Sequence, residues 1–128
     1  MDERSEIVTE AAPRGTGAYS QALRAGDFVF ISGQGPLDPA TLEVRGTTIE
    51  EQTEHTLRNL EAIAAAAGGS LRDVVKVSAF LSSIELFPGF NATYERIFGT
   101  LPRPARTTTG AELRGILVEI DAVLHLPR

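Results

Sequence analysis

The stretch Val74-Val75-Lys76-Val77-Ser78-Ala79-Phe80-Leu81 decides the fold of this chain. It is short, rich in β-branched residues and free of glycine and proline, so it reads as a buried strand. Its apolar residues fall in both alternating sets, so cover is expected on both faces. A helix stands on each side of it in sequence. Upstream, Thr48 to Ala67 opens on a capping box, Thr48 with Glu51, and stops at Gly68-Gly69. Ile49, Thr53, Leu57, Leu60, Ile63 or Ala64, and Ala67 share one face; Glu50, Glu54, Arg58 and Glu61 make a solvated face that also carries His55. Downstream, Leu86 to Phe98 tolerates Pro88 in its first turn and ends at Gly99, with Phe87, Phe90, Tyr94, Ile97 and Phe98 as its core side.

Working outward, Tyr19 to Arg24 and Phe28 to Ser32 flank a turn at Ala25-Gly26-Asp27 and read as a hairpin. Ile7-Val8-Thr9 is a short edge strand, and Leu37 to Gly46 is a loop with Asp38-Pro39 as its turn signal. Near the C-terminus, Pro102 and Pro104 hold Leu101 to Thr109 extended and deliver Arg106 to a β-branched run, Thr107 to Thr109. The last strand runs from Ile116 to Leu126, with Ile116, Val118, Ile120, Ala122 and Leu124 alternating against Leu117, Glu119, Asp121 and Val123. The order β-β-α-β-α-β-β predicts one α+β domain over residues 1–128, two helices packed on one face of a sheet. Two helices cover one face only, whereas the central strand asks for cover on both. A homo-oligomer is therefore expected.

Composition narrows the chemistry. A net charge of −5 offers no electrostatic footprint for nucleic acid or an anionic membrane. With no cysteine there is no thiol nucleophile or disulfide, and two scattered histidines, His55 and His125, give a metal site almost no material. The charged start Met1-Asp2-Glu3-Arg4 lacks a following apolar run, and no window reaches about 20 apolar residues, so a cytoplasmic protein without a membrane span is expected. Asn91-Ala92-Thr93 matches a glycosylation acceptor but has no secretory context.

The candidates for chemistry are polar residues in unusual places. Arg106 is a planar, permanently charged fork at a strand end, suited to a carboxylate. Glu119 lies inside an otherwise apolar strand, where a carboxylate must be paired or face a cavity, and Asp121 shares its face. Both acids could equally meet solvent or a neighbour's arginine at an interface. Tyr19-Ser20-Gln21 and Ser32-Gly33-Gln34 put polar groups at two strand ends, where turn residues also sit.

Gly17-Ala18-Tyr19-Ser20-Gln21, Ser32-Gly33-Gln34, Asn91-Ala92-Thr93-Tyr94-Glu95, Pro104-Ala105-Arg106-Thr107 and Val118-Glu119-Ile120-Asp121-Ala122 occur in this order and spacing. Together they resemble the RidA family, also called YjgF/YER057c/UK114, from Ala12 to Leu124. The resemblance implies a chorismate-mutase-like fold and a homotrimer with clefts between subunits. It also implies cofactor-free hydrolysis of 2-imino acids and their enamine tautomers to 2-oxo acids and ammonia. In that pattern Arg106 binds the substrate carboxylate and Glu119 helps place the attacking water. Tyr19, Ser32, Gly33, Asn91 and Thr108 line or support the cleft.

Three positions depart from the family pattern: Thr108 where many members carry cysteine, Ala18 where proline is common, and a Gly110–Gly115 loop that looks about two residues short. Two further readings fit the same resemblance, a non-catalytic trimer that binds 2-oxo acids and an endoribonuclease.

Overall fold

The computed structural model describes residues 4–15 and 17–127; the charged start read in Met1-Asp2-Glu3 lies outside them. The strands are β1 (Arg4–Ile7), β2 (Ala22–Ala25), β3 (Phe28–Gln34), β4 (Val74–Leu81), β5 (Ala105–Gly110) and β6 (Val118–His125), and the helices are α1 (Ile49–Ala66) and α2 (Phe87–Phe98). They form one mixed six-stranded sheet in the order β1-β2-β3-β6-β4-β5.

The topology explains the placement of the helices. β3 and β4 are both antiparallel to β6 and hence parallel to each other, with α1 joining them. β4 and β5 pair parallel and are joined by α2. Both crossovers advance the same way along the sheet, so right-handed connections put both helices on one face. The other face is left without a layer of its own.

Local signals hold where they were read. The Thr48–Glu51 capping box forms in full, and Gly68 and Gly99 take φ of 94° and 56°, which suit glycine at a helix end. The buried face of α1 is wider than its apolar stripe, because Gln52 and Asn59 are buried too. The Gln52 amide donates to the Gly46 carbonyl at 3.1 Å and its oxygen accepts the Leu117 N–H at 2.8 Å. Asn59 donates to the Gly35 and Leu37 carbonyls at 2.9 and 3.0 Å. These two side chains tie the irregular segments to the helix and so satisfy backbone groups that burial would otherwise orphan.

Four boundaries shift. β2 is Ala22–Ala25 rather than Tyr19 to Arg24, because the Gln21 side chain is drawn into hydrogen bonds with the Thr9, Ala12 and Pro13 carbonyls and Tyr19 to Gln21 lie before the strand. The first strand is Arg4–Ile7 rather than Ile7–Thr9, since the Thr9 N–H turns to the buried Gln21 side chain at 2.8 Å. β6 begins at Val118 rather than Ile116, Leu117 having given its N–H to Gln52. β3 continues through Gly33 to Gln34 because a bulge interrupts its pairing: Ile31 faces Ala122 while Gln34 faces Ile120, three steps against two.

The core lies between helices and sheet, where Leu57, Ile63, Phe90, Leu81, Val118, Ile120 and Leu124 are wholly buried. On β4 the helix-facing set is Val77, Ala79 and Leu81; the opposite set, Lys76, Ser78 and Phe80, is half-buried. That second face is less apolar than the sequence suggested. Phe30, 49% exposed, and Phe80 share it with Glu119 and Asp121.

A divided candidate site

Arg106 and Glu119 lie on opposite faces of the sheet. In register, Arg106 stands beside the buried Val77, and so on the helix side. Glu119 stands beside Phe80 and between Val118 and Ile120, which are buried under the helices, and so points to the open face.

The Arg106 half is built by α2. The guanidinium lies 4.6 Å from the centre of the Tyr94 ring and 5.4 and 5.6 Å from those of Phe90 and Phe87, within reach of cation–π attraction. Its Nη2 donates to Asn91 Oδ1 at 2.9 Å. Asn91 and Tyr94 are three residues apart on one helical face, which lets one helix supply both the brace and the seat. The aromatic residues of α2 therefore do more than fill the core: Phe90, Tyr94 and Phe98 are buried in it, while Phe87, Phe90 and Tyr94 also hold the charge. Burial pushes the Tyr94 hydroxyl up to about 12 despite the nearby Arg106 charge, so Tyr94 offers a neutral ring. A cleft of about 270 Å³ opens here, bounded by Asn91, Tyr94, Glu95, Arg103, Pro104 and Arg106 among others. Arg103 is an exposed rim residue, 3.9 Å from Glu95.

Thr108 follows Arg106 on the same face, and its hydroxyl is buried without a hydrogen-bond partner among the described residues. Its side chain accordingly points into packing; what it can present to a ligand is backbone.

The Glu119 half is built by the β3 bulge. Tyr19, Ser32, Gly33 and Glu119 line one open hollow. The Ser32 hydroxyl donates to the Ser20 carbonyl at 2.6 Å, so it braces the turn that carries Tyr19. Gly33 gives the carboxylate its room: a Cβ there would sit 2.6 Å from Glu119 Oε2. Burial, and then the Asp121 charge, raise the Glu119 carboxyl above the ordinary glutamate value. The arrangement offers a poised proton acceptor in a hollow that Tyr19 also lines. Gly33→Ala should therefore displace the carboxylate while leaving the fold intact, because the backbone at this position is open to any residue. The expected outcome is a loss of turnover of about tenfold or more at an unchanged thermal midpoint, read by steady-state kinetics and circular dichroism.

Among the described residues no group of three or more His, Cys, Asp and Glu could hold a metal ion, and no helix is long and apolar enough to cross a membrane.

Fold and site together define a class: a two-helix α+β protein with an arginine fork on one sheet face and a half-buried carboxylate on the other. The family described as Endoribonuclease L-PSP matches residues 9–126, and the chain belongs to it, the YjgF/RidA family. It is 42% identical over 121 residues to RutC family protein PH0854 of Pyrococcus horikoshii, covering 93% of this chain and 95% of the relative. RidA from the Antarctic bacterium Psychrobacter sp. PAMC 21119 superposes with a TM-score of 0.89 at 37% identity, covering 95% of this chain and 99% of that one. Escherichia coli TdcF, solved with bound serine, gives a TM-score of 0.88 at 30% identity over 94% and 98% of the two chains.

Proposed function

We propose that this protein hydrolyses small 2-imino acids and their enamine tautomers to 2-oxo acids and ammonia, without a cofactor, as a cytoplasmic homotrimer with its sites between subunits. One observation carries the reading: the residues suited to bind and to hydrolyse such a substrate lie on opposite faces of one sheet. A single chain cannot bring both to one ligand. A second copy, laid on the open face, can set its own Arg106 cleft against Glu119 of the first. The same contact would cover Phe30 and Phe80.

The chemistry then follows from these groups. Arg106 pairs with the planar substrate carboxylate through two parallel N–H donors and fixes the C2 carbon. Tyr19 and the braced Ser32–Gly33 segment wall the site. Glu119 orients a water and takes one of its protons as the oxygen bonds to the iminium C2. That proton passes to the amino nitrogen, the C–N bond breaks as ammonia leaves, and the remaining hydroxyl proton goes to Glu119 and on to solvent as the 2-oxo group forms. An iminium carbon is already electrophilic, so orientation and one proton relay suffice. That relatives include a RidA and a TdcF solved with serine supports a small amino-acid-derived ligand.

The family description favours RNA cleavage as a second reading. A net charge of −5 argues against it, since phosphate contacts need clustered cations. Two measurements test the proposal. Freshly generated 2-iminopropanoate should disappear faster with the protein present, and light scattering at micromolar concentration should give about three times the 13.7 kDa chain mass. A monomer mass overturns the intersubunit site. Saturable 2-oxo acid binding without turnover leaves a binding trimer, and salt-sensitive RNA cleavage with no action on imines points to the nuclease.

A further inference from the structure

A second cleft opens beside the Glu119 hollow. It holds about 220 Å³ and is walled by Pro13, Arg14, Leu37 and Leu42 and by the buried Gln34, with Tyr19 and Gly33 shared with the hollow. We propose that this cleft is the side-chain subsite of the same active site, and that Arg14 selects 2-imino acids carrying a second carboxylate. The inference takes the position of the reacting carbon, beside Glu119, from the hydrolase reading above.

Three features carry it. The first is continuity. A ligand carbon beside Glu119 lies next to Gly33, and Gly33 also borders the second cleft, so a side chain can run past Gly33 into that cleft, which the Tyr19 ring also lines. That ring is seated closely: a Cβ on Gly15 would come 2.5 Å from it. Size is the second. A hollow of about 220 Å³ is several times the roughly 30 Å³ share of one liquid water, and a methyl side chain would leave most of it empty.

The third feature is charge and its support. Arg14 is exposed and makes no hydrogen bond or ion pair among the described residues. It is also the one charged residue on the cleft wall. Its backbone is nevertheless held, because the buried Gln21 amide donates to the Ala12 and Pro13 carbonyls at 3.2 and 2.9 Å. The Leu42 wall is held too. Leu42 sits at φ 64°, a conformation that leucine rarely adopts. A compact turn keeps it there: Leu42 N–H donates to the Asp38 carbonyl at 2.9 Å, the Asp38 carboxylate caps Ala40 and Thr41 and pairs with Arg45, and Leu37 bridges to Val44. A costly backbone state that aims an apolar side chain at a cleft is the kind of strain found at ligand sites. A cleft with Pro13, Leu37 and Leu42 as apolar walls and Arg14 as its one charged lining residue fits a short methylene chain capped by a carboxylate.

The test compares two stable product-like ligands by calorimetry: 2-oxopropanoate, with one carboxylate, and 2-oxoglutarate, with two. The wild-type protein should bind 2-oxoglutarate about tenfold or more tightly than 2-oxopropanoate. Arg14→Ala should bring that ratio close to one, Arg14→Lys should keep part of it, and Leu42→Gly should lower it by removing the wall. A wild-type preference for 2-oxopropanoate, or a ratio untouched by Arg14→Ala, overturns the inference. Turnover of the two matching imines, generated by an amino-acid oxidase, separates this result from the hydrolase reading. Arg14-dependent binding without imine hydrolysis keeps the subsite and removes the activity; hydrolysis of both imines at a ratio indifferent to Arg14 does the reverse.

Discussion

Arg106→Ala is expected to lower kcat/KM for 2-iminopropanoate by about a hundredfold or more and to leave the protein folded. The substrate carboxylate would lose a charge-assisted, two-donor pair, a loss of about 3 kcal/mol. Folding is spared because Arg106 is only half-buried and lines an open cleft, outside the wholly buried core. Arg106→Lys should recover only part of the rate: an ammonium is a point charge and cannot present two parallel donors while Asn91 holds a third position. Arg103→Ala is the control. Arg103 borders the same cleft, but its side chain is 67% exposed and its contact with Glu95 is long at 3.9 Å, so at most about a threefold effect is expected. Equal losses at both positions would indicate general charge attraction, and an Arg106→Ala protein of normal activity would overturn the site.

Glu119→Gln should cut kcat by about a hundredfold with little change in KM, because the substitution keeps the shape of the side chain and removes the proton acceptor. The pH profile gives a sharper test. Burial and the Asp121 charge favour the protonated carboxyl, and the mechanism needs the ionised one. As pH falls, Glu119 takes up its proton earlier than an ordinary glutamate would, so the acid limb of kcat should lie above the ordinary range. The limb of kcat belongs to the bound complex, in which the substrate carboxylate already matches the Arg106 charge. Asp121→Asn should move that limb to lower pH, and Glu119→Gln should abolish it. An acid limb that persists unchanged in Glu119→Gln would assign the proton relay elsewhere.

What the amino-acid sequence determined by itself was everything governed by neighbours a few residues apart. The Thr48–Glu51 capping box, the glycine stop after α2 and the alternation of Val118, Ile120, Ala122 and Leu124 are interactions over two to four positions, and they were legible for that reason. The family motifs likewise brought Arg106, Glu119, Tyr19, Ser32, Gly33, Asn91 and Thr108 into view without showing where each points. Strand alternation says which residues share a face; it does not say which face the helices will cover. That depended on β6 entering between β3 and β4 and on two crossovers advancing in one direction, pairings between residues as far apart as Val29 and Leu124. The same long-range pairing created the bulge that sets Gly33 beneath Glu119 and turned α2 so that Tyr94 and Asn91 receive Arg106. Sequence spacing could not foresee these contacts, because each is chosen by packing the whole sheet at once. Only the tertiary structure decided that the two halves of the site stand on opposite faces of one chain.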